Sequence, residues 1–326
     1  MNPGNIIFEA LEIFKLVLPF MFFGLFLASL IRLSPYFKHI GLPMSRLAST
    51  SNLSAECSTV LTMFFVNNWA TLAMLSDFYR KKLVSEKEVI VTMLVGFFPK
   101  GVHVTVFFMA PIAIPVLGLS VGGVYILMEL LIYLGITAVG IGLGRLWLYP
   151  QMPGEFEAGN REATAWPERL KISLKESVAQ FKKIVVVLIP TVIVVLLLLD
   201  LGMLDPITEA CAPLLESVGL PSSSMIVIAA SLMSQMAAIG AVGTLLGSGL
   251  LSPLHCLILL FMAHFLHMGI GCIRLGLPMN ISLFGRSLGL KTTLITYSML
   301  ELGTALVIFS LAGCSDRVQM VLLNNF

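Results

Sequence analysis

Charge is what this sequence has little of: only 12% of its 326 residues are Asp, Glu, Lys or Arg. A soluble domain usually carries about 25%, so an ordinary water-soluble fold is excluded. Ligand-type cysteine spacing is lacking as well. Cys57, Cys211, Cys256, Cys272 and Cys314 form no CxxC pattern and sit in apolar segments, which reads as packing and not as disulfide or zinc chemistry. No HExxH, Gly-x-Ser-x-Gly or Walker-type phosphate loop occurs, so neither an enzyme nor a bound cofactor is expected. A basic n-region with a small-residue cleavage pattern is missing too. The first charges are Glu9 and Glu12, and Leu16–Leu30 is expected to remain as a transmembrane helix. Outside residues 150–183 no long polar run leaves room for a soluble domain.

What is present is apolar. Hydrophobic residues make up 57% of the chain and mean hydropathy is +0.96. The stretches Leu16–Leu30, Val89–Leu119, Val121–Leu148, Ile184–Leu199 and Leu257–Ile270 approach or exceed the roughly 20 residues that cross a bilayer core. The expected class is an all-α polytopic membrane protein of the plasma membrane.

The halves resemble each other at an offset of 167 residues. This offset superposes Leu53 on Leu220, Ala70 on Ala237, Ser85 on Ser252, Phe98 on Phe265, Pro111 on Pro278, Gly118 on Gly285, Ser120 on Ser287 and Gly122 on Gly289. Matching Leu is cheap in apolar sequence, so the Ser, Pro and Gly matches carry the weight. The parts then read as a first repeat over 1–149, a polar linker and interfacial helix over 150–183, and a second repeat over 184–326. Each repeat has a first helix (10–32; 184–200) and an amphipathic segment (35–50; 203–218). An apolar stretch with a polar centre follows (54–79; 222–247), then a helix broken midway (87–117; 254–284) and an unbroken helix (120–148; 290–313).

Basic residues relate the halves. Arg32, Lys38 and Arg46 follow the first helix, and Arg80, Lys81, Lys82 and Lys87 follow the next stretch. In the second half 201–222 carries Asp205, Glu209 and Glu216 but no base, 247–253 is bare, and Arg286 and Lys291 occupy the turn that lacked charge before. Lys and Arg mark the cytoplasmic side, so corresponding loops fall on opposite faces and the repeats are expected to be inverted. Both termini are then expected outside and the linker 150–183 inside. Each repeat is then expected to cross an odd number of times, which turns 54–79 and 222–247 into re-entrant hairpins; the alternative is that each is an ordinary spanning helix with an interhelical amide bond. Arms of about 12 residues reach roughly 18 Å, near the midplane. Their tips are expected at Asn67-Asn68-Trp69 and Ser234-Gln235-Met236.

Ionisable residues inside a bilayer are costly and point to function. The candidates are Lys100, His103, Glu129, His264, His267, Arg274 and Glu301. Phe98-Pro99-Lys100-Gly101 and His267-Met268-Gly269, matched by the offset, are expected to break their helices and expose N–H groups to a polar or anionic solute. Lys100 pairing with Glu129, and Arg274 with Glu301, is the structural alternative. His264 and His267 supply half a metal site or titrate protons, and no metal centre is assigned. Glu129 and Glu301 sit mid-helix in the last helix of each half as proton-coupling candidates, or as hydrogen-bonded packing groups.

The order of parts resembles the Gate, or nucleoside-recognition, membrane domain family. It is similar to the core of concentrative nucleoside transporters and to the membrane region of ferrous-iron transporter B. The residues that carry this are Asn67-Asn68-Trp69-Ala70, Leu83-Val-Ser-Glu-Lys-Glu-Val, Phe98-Pro99-Lys100-Gly101, Ser234-Gln235, Leu250-Leu-Ser-Pro and His267-Met268-Gly269. The resemblance implies a substrate site at hairpin tips and helix breaks, formed by Asn67, Asn68, Trp69, Lys100, His103, Gln235 and His267. The Gly-Cys-x-Val-Pro motif of the iron-transporter regions is absent. The expected function is a transporter for a small polar or anionic solute, nucleoside-like included. The alternatives are a membrane assembly or signalling partner and a metal-ion transporter. Expected partners are the lipid bilayer, the solute, a coupling ion (H+ or Na+) and a second copy of the chain, with no nucleic acid.

Overall fold

The computed structural model of the chain describes residues 38–65, 68–150, 166–200 and 219–313, with isolated positions between 15 and 30. Most of the helix expected over 10–32, the segment 203–218, Asn67 and both termini lie outside the described residues. Among the described residues every regular element is helical. In chain order they are α1 (Lys38–Thr50), α2 (Ala55–Met63), α3 (Asn68–Arg80), α4 (Glu86–Val95), α5 (Phe97–Val104) and α6 (Ala110–Trp147). There follow α7 (Trp166–Asp200), α8 (Met225–Met233), α9 (Gln235–Gly247), α10 (Pro253–Gly271), α11 (Leu277–Phe284) and α12 (Arg286–Gly313). The runs Glu86–Trp147, Pro253–Phe284 and Arg286–Gly313 are long and apolar enough to cross a membrane. The chain is an all-α protein of membrane type.

The two 26-residue stretches are each two short helices with a break between them. Ser234 lies in extended backbone (φ −158°, ψ 129°) between α8 and α9, which pack on one another. α2 and α3 also touch one another. Pro167 near the start of α7 suits a helix N-terminus. From there α7 runs unbroken from the linker into the second half, so 183/184 is not a helix boundary.

Several backbone features recur 167 residues apart. Positive φ occurs at Asn52 and Gly219, at Lys82 and Gly249, and at Gly118 and Gly285. Ser85 caps α4 by accepting from Glu88 N–H, and Ser252 caps α10 by accepting from His255 N–H, both at 3.3 Å. Widened π-helical turns fall at Thr105–Met109 and Cys272–Gly276. Pro111 and Pro278 explain these turns. A proline ring displaces the carbonyl four residues earlier, at Phe107 and Arg274, and the helix widens to admit it.

The helix interruptions differ from expectation. Pro99 cannot donate to the Val95 carbonyl, and Thr137 Oγ1 on α6 supplies the missing hydrogen bond at 3.1 Å. The Phe98 N–H turns to the same hydroxyl at 3.0 Å, while Lys100 N–H still reaches the Gly96 carbonyl at 3.0 Å. The chain bends at Gly96–Pro99 without opening a free helix N-terminus. In the second half α10 passes straight through His267-Met268-Gly269. Glycine alone does not interrupt a helix in an apolar setting, and the true change of direction comes at Gly118 and Gly285.

Contacts between the halves are reciprocal. Ser76 Oγ on α3 donates to the Leu283 carbonyl on α11 at 2.5 Å. At the positions 167 residues away, Gly243 on α9 lies against Val116 on α6, where a Cβ would come within 3.2 Å of the Val116 carbonyl oxygen. The basic turns meet at one end of the molecule: Arg80 reaches the Leu283 carbonyl at 3.1 Å, and Lys291 lies 3.5 Å from Glu86. Small residues allow the close crossings, as at Gly303 against Ile132.

Candidate functional site

Residues four apart share a helix face, and α6 places Tyr125, Glu129 and Tyr133 on one. Tyr125 donates to Glu129 Oε1 at 2.8 Å and Tyr133 to Oε2 at 2.9 Å. Tyr133 fits because Gly101 on α5 has no side chain where its ring packs. From the other half, His264 Nδ1 on α10 comes within 2.7 Å of Glu129 Oε1, an ionic contact off the line of a straight hydrogen bond. The first turn of α9 contributes Gln235, whose Nε2 donates to Tyr125 Oη at 3.0 Å. All five side chains are buried. A carboxylate in such surroundings is tolerable because donors meet both its oxygens. The network ties α6 of one half to α9 and α10 of the other.

Glu301 is different. Both its oxygens are shielded from solvent and accept no hydrogen bond among the described residues. It faces Gly269, and it lies close enough to His264 to interact with it electrostatically. The pairs Lys100–Glu129 and Arg274–Glu301 do not form. Glu129 is engaged by His264 and the tyrosines, and Arg274 is exposed.

Beside this network lies a cavity of about 80 Å³, lined among others by Asn68, Lys100, Met268, Asn280, Thr296 and Tyr297. Asn68 opens α3, and Asn280, Thr296 and Tyr297 come from α11 and α12. Both halves therefore wall it. The Lys100 ammonium stands 5.4 Å from the centroid of the Phe97 ring, and no carboxylate among the described residues pairs with it. Asn280 is 2% exposed, and its Oδ1 accepts no hydrogen bond among the described residues.

The structure thus divides the expected site residues. Asn68 and Lys100 line the cavity, while Gln235, Glu129 and, through His264, Glu301 belong to the buried network. His267 is held by the Ser231 carbonyl at 2.6 Å, turned to a different partner from His264. His103 packs edge-on to Phe108 at 5.2 Å and is not among the residues lining the cavity. Trp69 lies in the first turn of α3, and Asn67 is outside the described residues. No cluster of three or more His, Cys, Asp or Glu able to hold a metal occurs among the described residues. Sequence reasoning passed over Tyr125 and Tyr133, although their spacing of four about Glu129 signals a shared face. For Asn280, Thr296 and Tyr297 the sequence carries no comparable signal.

Comparison with known proteins adds relatives but no activity. The chain is 26% identical over 263 residues to an uncharacterized protein of Methanocaldococcus jannaschii, covering 78% of this chain and 99% of the relative. A second uncharacterized protein of that organism is 27% identical, covering 76% and 81%. A third is 28% identical, covering 78% of each. No family model matches the chain. No solved structure matches it either.

Proposed function

We propose that the chain is a multi-pass transporter of the plasma membrane, built from two inverted-topology repeats, that binds a small polar or anionic solute at the cavity between them. The observation that carries this is the cavity itself: walls from both halves, polar residues Asn68, Asn280, Thr296 and Tyr297, and a lysine with no carboxylate partner among the described residues. A packed assembly or signalling module would have its ionisable groups paired and its interior filled. Discontinuous helices meeting near a membrane midplane form solute sites in secondary transporters.

Inversion is supported by the reciprocal contacts. When residue i touches j′ and i′ touches j, the copies are related by a two-fold axis; Ser76–Leu283 and Gly243–Val116 have that relation. The contacts of Arg80 with Leu283 and of Lys291 with Glu86 bring these two basic turns together, which supports a shared end, cytoplasmic under the Lys/Arg rule. With an axis in the membrane plane, the helix pairs α2–α3 and α8–α9 are re-entrant hairpins entering from opposite sides. The Glu129–His264 network then joins the repeats at the depth where a coupling proton would be taken up.

Two experiments test this. In a background without native cysteines, Lys81→Cys should react with a membrane-impermeant maleimide only after permeabilisation, and Ser248→Cys from outside in intact cells. Both residues are exposed, and labelling from the same side would end the inverted arrangement. For the site, acetate, lactate, phosphate, glycerol and uridine are screened by thermal shift against wild type, Asn68→Ala and Lys100→Ala. A solute that raises the wild-type melting temperature is expected to lose most of that effect in both variants. Equal stabilisation of all three proteins would remove the cavity as the site.

A further inference from the structure

Resting on the cavity site proposed above, we infer that the coupling ion is a proton and that its carrier is Glu301, while Glu129 is the fixed joint between the repeats. In the sequence the two glutamates look alike, each mid-helix in the last helix of its half. The structure gives them opposite surroundings. Tyr125 donates to one Glu129 oxygen at 2.8 Å and Tyr133 to the other at 2.9 Å, and His264 stands 2.7 Å away. A proton arriving at Glu129 would have to displace a donor already in place.

Glu301 has no donor to displace. Its side chain is half-buried, but both carboxyl oxygens are shielded from solvent and accept no hydrogen bond among the described residues. An ionised carboxylate placed there has neither water nor a partner, and the neutral acid is far less costly to keep. A bound proton therefore satisfies Glu301 in this conformation, and water must reach it before the proton leaves. The helices packed on α12 bring few other ionisable groups to it. α10 brings His264 within electrostatic reach, and the π-helical turn after α10 brings Cys272. His267 is turned to the Ser231 carbonyl, and Arg274 is exposed. On α12 itself Tyr297 lies one turn away, and α6 brings Glu129 to the same His264. The charged residues of α4, Glu86, Lys87 and Glu88, are at its start, where Glu86 meets Lys291 about three turns from Glu301. α11 has no ionisable side chain.

A proton fits these surroundings better than sodium. Sodium sites in secondary transporters draw on backbone carbonyls freed where a helix unwinds. Beside Glu301 both helices are continuous, α10 as far as Gly271 and α12 from Arg286 to Gly313, so their carbonyls are engaged within the helix. The proton site and the cavity share these elements. Tyr297 and Leu300, on the same helix as Glu301, line the cavity, and so does Met268, next to the Gly269 that faces Glu301. Any shift of α10 against α12 that lets water reach Glu301 therefore moves part of the cavity wall. By reciprocity, a solute that favours one position of these helices shifts the proton, and the proton shifts the solute equally. The exchange balances, because Glu301 takes its proton from water on one side of the membrane and returns it to water on the other.

The test uses the purified full chain in lipid nanodiscs, with the proton and sodium as probes. Infrared spectra at about pH 6, where exposed carboxylates are ionised, should show a protonated carboxyl band that is lost in Glu301→Gln and kept in Glu129→Gln. In a background without native cysteines, Thr296→Cys in the cavity wall is then reacted with a methanethiosulfonate. Its rate is followed from about pH 6 to about pH 9 relative to the exposed Ser248→Cys, which corrects for thiolate formation. The relative rate is expected to change at least about fivefold with pH and not to respond to sodium at fixed pH. Glu301→Gln and Glu301→Leu should lose the change, and Glu301→Asp should keep part of it. Melting temperatures identify any variant that fails to fold, and the comparison of pH with sodium stands without the variants. A band that survives in Glu301→Gln, or a rate that follows sodium in place of pH, overturns the proton at Glu301. A full pH response in folded Glu301→Leu, or none in wild type, overturns the coupling. Failure here stays separable from failure of the cavity. If a solute from the screen stabilises wild type and loses that effect in Lys100→Ala and Asn68→Ala, the site stands and only the proton assignment falls.

Discussion

Glu129→Ala is expected to lower the melting temperature of the purified protein by roughly 10 °C, the largest effect of any single substitution considered. The carboxylate holds Tyr125 at 2.8 Å, Tyr133 at 2.9 Å and His264 at 2.7 Å, all within the protein interior. Removing one partner of a buried ionic contact typically costs about 3–5 kcal/mol, because the groups left behind have neither water nor each other. Here two phenols and an imidazole lose their acceptor at once, and Gln235 loses a fixed Tyr125 to bond. Glu129→Gln keeps an oxygen for one tyrosine and should cost less than half as much. Thermal unfolding in one detergent or nanodisc preparation measures both. If the alanine variant melts within 2 °C of wild type, the network does not hold the halves together.

Gly289→Ala should come second, lowering the melting temperature by about 3–8 °C. A Cβ at Gly289 would lie 2.5 Å from the Asn280 carbonyl oxygen and 2.6 Å from Ile281 Cα. These are backbone atoms, so no side chain can swing aside and α11 must move. Gly122 has the corresponding relation to Ala113 and Ile114, at 2.7 and 2.9 Å, and Gly122→Ala should cost a similar amount. The two differ in consequence. Displacing α11 moves Asn280 in the cavity wall, so Gly289→Ala should also weaken solute binding, whereas Gly122→Ala should leave it intact. Equal binding losses in the two variants would detach Asn280 from the site.

How much of this the sequence disclosed depends on how local each signal is. Membrane class is a bulk property and was plain from charge and hydropathy. Ser85 and Ser252, matched by the 167-residue offset, cap α4 and α10, because a serine before an apolar run followed by a donor three residues on is a local device. Gly118 and Gly285 occupy positive φ where a side chain would be strained. The break at Ser234 falls within the tip expected from the polar centre of its stretch. The break expected at Phe98-Pro99 falls at Gly96, but the free N–H groups expected there and the break expected at Gly269 do not form, because those outcomes are decided at a distance. Thr137, 38 positions beyond Pro99, repairs the backbone there, and Gly269 meets no steric demand to leave the helix. Glu129 was legible as costly, but its partner His264 lies 135 residues along the chain. Asn280 carries no such signal, because its place in the cavity wall follows from how α11 packs on α12.

One asymmetry has a thermodynamic meaning. Glu129 and Thr296 stand 167 residues apart, at matching places in α6 and α12. The first carries the buried contact with His264, and the second lines the cavity. Two identical inverted units would have inward and outward conformers related by the two-fold axis and equal in energy, a degenerate ground state with no resting preference. Placing a charge at this position in one unit and a threonine in the other lifts that degeneracy. In the arrangement proposed here, the molecule has a built-in resting orientation set by one side chain, and the solute or a proton at Glu301 would act by tilting that bias.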